Sequence, residues 1–350
     1  MGLNVLVVDD SPTFQRYLKR GLSAMGEVSS VTLAFSGEEA EEIIRISGDH
    51  FHLVTMDIEM PGMGGIQACQ RIKALRQLAI IVISSVWSPS ELALTFRALE
   101  MGADDIMAKP GPGTTPEAFA KEVLWRALPI INRIPHAAPP KPSPEVPPPS
   151  MVERTPHPIE AVAIGASTGG PKSTLELLKS IPSPCPVPIL LVQHMFKGFE
   201  EGYARWLGDG SGHVISIASR GERLSGGKVF LCPSGLHMKV RNGSVDLSEE
   251  PPEHGVRPAV SVLFRSMLKE YGPRWAAVLL SGMGTDGSLE MAEARGAGAF
   301  TMAQDQASSV VWGMPGEAYM LGGVTLLAPP AELGSRLASL VTRTEREVRE

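Results

Sequence analysis

Two periodicities alternate along the first 128 residues. Short apolar runs, in LNVLVVDD, VSSVTLAFS, HLVTMDIEMP, AIIVISS and DDIMAKP, end at polar or Gly/Pro positions and predict strands. Between them, stretches such as PTFQRYLKRGLSAM and GEEAEEIIRIS place apolar residues three and four apart, the spacing of an amphipathic helix. Five β-α units in succession predict a parallel sheet with helices on both faces. The alternation resumes after residue 158. AVAIGAS, VPILLVQH, HVISIAS, KVFLCP, WAAVLLSG and GAFTMAQ predict further strands. HMKVRNGSVDLSE predicts a hairpin turning at Asn242-Gly243, a dipeptide that accepts the positive φ angles of a two-residue turn.

Prolines divide the chain. Of its 30 prolines, 11 fall between Pro129 and Pro158. Proline lacks the N–H and fixes φ, so this run predicts neither helix nor sheet interior but an extended, semi-rigid spacer. The expected organisation is an α/β domain over 1–128, a linker over 129–158 and a larger α/β domain over 159–345. No repeat of solenoid period is evident.

Composition narrows the class. Hydrophobic residues make up 43% and charged residues 20% of the 350 positions, as in an ordinary globular protein. The net charge of −6 gives no basic surface for nucleic acid. Three cysteines, Cys69, Cys185 and Cys232, are too few and too scattered for a disulfide framework or a CxxC metal site, which suits a reducing compartment. The first ten residues carry no basic segment of a signal peptide, and no apolar run approaches the ~18 residues of a membrane span. A cytoplasmic monomer without membrane insertion is the expectation.

Ligands of doubly wound sheets sit at the carboxyl ends of the strands, where the strand order switches. Asp9 and Asp10 end the first predicted strand, Asp57 the third, Ser84 the fourth and Lys109 the fifth. Any one of these acids would serve as well as a helix cap or a solvated loop residue. Together they suit a hard cation such as Mg2+, which takes oxygen ligands. A carboxylate among them can accept a phosphoryl group, with Lys109 neutralising its charge and the Ser84 hydroxyl bonding it.

In the second domain, GASTGG follows the first strand, and Gly165 to Gly169 fit G-x-S-x-G. Such a turn can expose Ser167 as a nucleophile at a helix N-terminus, or it can cradle a nucleotide phosphate. A nucleophile needs a base and the base an orienting carboxylate. His194 ends one predicted strand and Asp286 follows another, so both can reach the same sheet edge as Ser167. His213, His237 and His254 compete with His194, and Asp305 with Asp286. Spacing alone does not rank them.

Two resemblances do. Residues 1–125 resemble a two-component receiver domain, through Asp9-Asp10, Asp57 within MDIEMPGMGG, Ser84 and Lys109-Pro110. That resemblance implies Asp57 as phosphoacceptor, Asp10 and Asp57 as Mg2+ ligands with Asp9 supporting, and Ser84 and Lys109 as phosphate-sensing residues. Ile106 stands where receivers often carry an aromatic residue, so no aromatic rotamer switch is implied.

The second domain resembles the catalytic domain of the chemotaxis-specific protein-glutamate methylesterase/protein-glutamine glutaminase family. It does so through IGASTGGP, LLVQHM, RPAVSVLF, LLSGMGTDG and AQDQASSVVWGMP. The implied fold is a flavodoxin-like receiver joined by a Pro-rich linker to a Rossmann-like domain with a β-hairpin. The implied chemistry is hydrolysis of γ-glutamyl methyl esters on chemoreceptors, with Ser167 as nucleophile, His194 as base and Asp286 as its orienter. Backbone N–H groups of Thr168 and Met283 are the implied oxyanion donors. The family also includes glutamine deamidases, and a histidine kinase is the implied phosphodonor. Relief of inhibition on phosphorylation, with or without active stimulation, is what the family and a spacer long enough to let the domains meet imply. A phospho-switch that binds partners without catalysis is the alternative, and the intact Ser167, His194 and Asp286 weigh against it.

Overall fold

The apolar runs become strands and the 3.6-period stretches become helices. The computed structural model describes residues 2–47, 50–85, 89–134 and 157–349. The chain divides into two units, Met1–Ser143 and Pro144–Glu350. Most of the Pro-rich spacer, residues 135–156, lies outside the described residues.

In the first unit the strands are β1 (Leu3–Val8), β2 (Val28–Ala34), β3 (Leu53–Met56), β4 (Ala79–Ser84) and β5 (Asp105–Ala108). They alternate with α1 (Pro12–Ser23), α2 (Gly37–Ser47), α3 (Gly64–Leu75), α4 (Pro89–Glu100) and α5 (Pro116–Ile131). The sheet is parallel in the order β2-β1-β3-β4-β5. Every residue of β3 and β4 is buried, as expected for strands covered on both faces. Helix α1 starts where its sequence says it should. Ser11 accepts a bond from the Phe14 N–H, Pro12 follows with its φ already set, and Leu18 and Leu22 form the buried stripe.

Helix α5 departs from expectation. It runs through Pro129 to Ile131, so the first residues assigned to the spacer are helical. A proline this near the end removes only one late helical bond, and burial of Ile130 and Ile131 at 4% exposure each holds the last turn in place.

The second unit contains β6 (Ala161–Ala166), α6 (Gly170–Lys179), β7 (Ile189–Gln193), α7 (Glu200–Ser211), β8 (Val214–Ile217) and β9 (Lys228–Leu231). It continues with β10 (His237–Arg241), β11 (Ser244–Ser248), α8 (Val260–Tyr271), β12 (Trp275–Leu279) and α9 (Ser288–Gly296). The last elements are β13 (Phe300–Gln304), α10 (Met314–Met320), β14 (Leu326–Ala328) and α11 (Pro330–Arg349). Seven strands make one parallel sheet in the order β14-β13-β12-β6-β7-β9-β8. The order reverses beside β6, whose neighbours β7 and β12 lead away in opposite directions. The short β14 has no counterpart among the predicted strands. The charged stretch 342–349 continues α11.

The core of this unit centres on Trp275, fully buried and edge-on to Phe264 at 5.5 Å. Strands β10 and β11 form the predicted antiparallel hairpin, with Arg241 opposite Ser244. Asn242 and Gly243 have φ of 51° and 67°. Both turn N–H groups donate to the Glu270 carboxylate of α8, so the turn is docked on the core and not merely permitted. Gly243→Val forces a β-branched residue into the left-handed region. It is expected to lower the stability of the full chain by about 1–2 kcal/mol in urea denaturation, whereas Ser244→Val leaves it within about 0.5 kcal/mol.

Candidate active site

Loop ends at the strand-order switch of the first sheet carry the acids. Asp57 is 5% and Asp9 1% exposed, while Asp10 reaches solvent. Carboxylate oxygens of all three lie within 4.8 Å of one another, an all-oxygen donor set of the kind a hard cation takes. The Lys109 Nζ lies 2.8 Å from Asp57 Oδ2 and 2.8 Å from Asp9 Oδ2. Burial pushes the Asp57 carboxyl up to about 6. The Lys109 ammonium opposes the rise, and the Asp9 charge adds to it. Lys109 itself loses solvation, yet its bonds and attraction to Asp57 and Asp9 win and raise it. Ser84 is buried at the end of β4. Its hydroxyl donates to the Ser85 carbonyl and accepts from Thr95 at 3.5 Å, so it faces α4 and the loop before it.

The second sheet brings three more predicted residues to adjacent strand ends. Ser167 follows β6, His194 follows β7 and Asp286 lies in the loop after β12. The His194 N–H donates to the Ala166 carbonyl at 2.9 Å, which seats the histidine beside the serine turn. His194 Nε2 and Asp286 Oδ2 are 2.9 Å apart. With Nε2 on the carboxylate, Nδ1 is the ring nitrogen left to serve a second partner. Asp286 is 2% exposed and also accepts the N–H of Val260 at 2.6 Å and of Ser261 at 2.9 Å. Helix α8 has no side-chain cap of its own at Ala259, so a carboxylate from a distant loop closes its N-terminus. Burial opposes ionisation of Asp286. The bond and charge of His194 and the two backbone donors outweigh it and hold the carboxyl below the ordinary range.

Ser167 is less open than the turn motif suggests, at 8% exposure. Its N–H donates to the Ser281 carbonyl at 3.0 Å. A Cβ on Gly282 would lie 2.8 Å from Ser167 Cβ, so the segment leading to Met283 runs directly across the serine. The glycines of the motif have separate duties. Gly169 caps α6 with φ of 75°. Gly165 makes room for Val260, whose Cγ1 would be 2.4 Å from an added Cβ, and Gly287 does the same on the other side at 2.6 Å.

Three of the competing residues go elsewhere; the fourth, His254, stays near the site, with Nε2 3.1 Å from the Ser261 hydroxyl and 4.0 Å from Asp286 Oδ1. His237 Nδ1 accepts the Ala259 N–H, so Nε2 carries the proton and donates to the Pro251 carbonyl. His213 is buried with Nε2 on the Leu178 carbonyl, and Asp305 accepts the Ser308 N–H and hydroxyl. Burial pushes up the thiols of Cys69, to about 12, and of Cys232, so neither is a ready nucleophile.

Residues 162–337 match the family described as CheB methylesterase, and residues 5–117 match the response regulator receiver domain. A curated relative from Geobacter metallireducens, protein-glutamate methylesterase/protein-glutamine glutaminase 4, is 40% identical over 348 residues, covering 97% of this chain and 99% of that one. The chain belongs to the protein-glutamate methylesterase/protein-glutamine glutaminase family. A second relative, from Nitrosospira multiformis, is 37% identical and covers 97% of each chain. The crystal structure of the Thermotoga maritima CheB methylesterase catalytic domain aligns with 52% of this chain and 98% of its own at 32% identity, with a TM-score of 0.49. The protein is a carboxylic-ester hydrolase with a receiver domain.

In the methylesterase domain, several supporting residues escaped the sequence reading. The Gln193 amide donates to the carbonyls of Ser167 and His194, at 2.8 and 3.1 Å. The Ser281 hydroxyl donates to the Thr168 carbonyl at 2.7 Å and accepts the Val311 N–H, while its own N–H donates to Gln304 Oε1. The Trp312 indole N–H donates to the Gln304 carbonyl. Part of their signal is in the sequence: Gln193 and Gln304 end mostly apolar strands, and Ser281 lies two residues past another. Thr168 is buried beside the serine, with a hydroxyl that has no hydrogen-bond partner. Among the described residues, no helix is long and apolar enough to cross a membrane.

The two acidic centres generate two expectations. The Asp286 carboxyl titrates lower in the folded chain than the ordinary value of about 3.9. Its stabilising contribution is therefore complete above that value and is lost as pH falls through the lower folded one. Thermal unfolding followed from about pH 5 down to about pH 2 should show this acid loss in the native chain and a flatter profile in Asp286→Asn. In the receiver domain, Lys109→Met removes the group that restrains Asp57. Carboxyl NMR titration should then find Asp57 above its native value of about 6.

Proposed function

We propose that the chain removes methyl groups from γ-glutamyl methyl esters of chemoreceptors, releasing methanol, with a Ser167-His194-Asp286 triad. The observation that carries this reading is the 2.9 Å bond from His194 to the buried Asp286, on the strand end next to Ser167. An anionic Asp286 fixes the imidazole and stabilises its protonated form. His194 Nδ1 takes the Ser167 proton as Oγ attacks the ester carbonyl. The resulting oxyanion is met by the N–H groups of Thr168 and Met283 at the segments that flank the serine. The imidazolium then protonates the departing methoxide, methanol leaves, and an acyl-enzyme on Ser167 remains. Water, deprotonated by the same imidazole, attacks the acyl carbon; the proton returns to Ser167 and a glutamate carboxylate is released. A glutamine side-chain amide fits the same sequence of steps, with ammonia as leaving group.

The receiver supplies control. A histidine kinase of the chemotaxis system is the phosphodonor, and Asp57 is the acceptor. The oxygen donors Asp9, Asp10 and Asp57 fit Mg2+, which when bound neutralises negative charge on the transferring phosphoryl group. Lys109 already bridges Asp57 and Asp9, and Ser84 stands on the neighbouring strand end to meet the phosphoryl oxygens. A phosphorylated Asp57 gains charge and acceptor oxygens, enough to bias a two-state element and raise the esterase rate. The proposed division is a receiver up to the end of α5 at Ile131, a linker reaching residue 158 and a catalytic domain from 159 through α11.

The test is methanol release from methylated receptor by the full chain. Acetyl phosphate with Mg2+ should raise the rate, and Asp57→Asn should abolish the increase. Ser167→Ala should lower kcat by roughly 10⁴- to 10⁶-fold and lose covalent labelling by a serine-directed phosphonate. An active Ser167→Ala protein would overturn the assignment.

A further inference from the structure

Outside the three reacting side chains, one buried hydroxyl is wired to the site more densely than its neighbours. Ser261, in the first turn of α8, is 0% exposed. Its backbone N–H donates to Asp286 Oδ1 at 2.9 Å. Its Oγ accepts the N–H of Gly287, the residue after Asp286, at 2.9 Å. The same Oγ donates to Glu290 Oε2 at 2.8 Å and lies 3.1 Å from His254 Nε2. A hydroxyl has one proton to give and two lone pairs. With the proton on Glu290 and one lone pair on Gly287, the other lone pair receives the His254 Nε2–H. The hydroxyl is saturated in one geometry.

The rest of the cluster holds that geometry. Glu290 is 6% exposed and its other oxygen accepts Arg265 Nη1 at 2.6 Å. Arg265 also pairs with Glu253. His254 Nε2 lies 4.0 Å from Asp286 Oδ1 and 3.9 Å from Glu253 Oε1. The titratable and charged groups around the Asp286 carboxylate are therefore His194 on one side and His254 on the other, with Glu290, Arg265 and Glu253 behind Ser261.

We propose that Ser261 is a positioning residue for the hydrolysis: its backbone N–H bonds the Asp286 carboxylate while its hydroxyl ties down the next residue through the Gly287 N–H, and together they aim the carboxylate at His194. This rests on the triad reading above. Without the hydroxyl the loop is untied at Gly287, and the carboxylate, still bonded by the two backbone N–H groups, sits less closely on the imidazole and favours its charged form less. Two consequences separate positioning from a structural role. The loss falls on kcat and not on KM. The acid limb of the kcat profile moves to lower pH, because an imidazole held less closely by its anion gives up its proton more readily.

The experiment measures methanol release by the full chain across pH for the native protein, Ser261→Ala and Asp286→Asn. Ser261→Ala should lose tenfold or more in kcat with KM within twofold, and its acid limb should shift downwards. Ser261→Cys keeps the volume with a weak donor. Where the alanine variant does not fold, Ser261→Cys should show the same downward shift. Native kcat and an unmoved limb in a folded Ser261 variant, with Asp286→Asn impaired, would overturn the proposal alone. An unimpaired Asp286→Asn would instead overturn the triad reading.

Discussion

The methylesterase domain depends on one carboxylate being held by three donors at once. Asp286 takes a bond from His194 and two from the first backbone N–H groups of α8. A helix N-terminus is short of acceptors and carries positive potential, and a buried carboxylate is short of donors. Each supplies what the other lacks. Because α8 also carries Phe264 into the Trp275 core, the position of the Asp286 carboxylate is set by the packing of the domain. A loop alone would leave the carboxylate free to follow solvent.

The receiver domain has a buried aspartate at a strand end too, and its electrostatics run the other way. Asp57 shares a single ammonium with Asp9 and keeps one backbone donor, that of Ile58. Desolvation is then only partly offset, and the carboxyl rises to about 6. Asp286 has more donors, which outweigh its burial, and it falls. The contrast fits the proposed roles. A group that is to accept a phosphoryl and a cation gains from being short of positive charge. A group that is to steady an imidazole gains from being permanently ionised.

Much of this was legible in the chain. Apolar runs of four to six residues gave the buried strands, and the parallel order followed from their alternation with helices. Asn242-Gly243 named its own turn. Ser167, His194 and Asp286 stood out as polar residues just past strand ends, though spacing did not separate His194 from His237. Only coordinates show that both His237 ring nitrogens are occupied by backbone. The capping of α8 by Asp286 was hidden for a different reason. Caps are read from the residues just before a helix, and here the acceptor arrives from 26 and 25 positions away in sequence. The helical turn at Pro129 was hidden because local composition outweighs burial in any reading of sequence alone.

The space around Val260 ties together three stretches of chain that are remote in sequence. Gly165 and Gly287 both lack a Cβ where its methyl groups lie. Gly165 has no room to grow unless Val260 shrinks, whereas Gly287, at a φ of 81°, is held to glycine by its backbone as well as by the space. Substitutions at 165 and 260 should therefore be tolerated only in concert. A lineage that enlarged Gly165 would leave its record in a smaller residue at the head of α8.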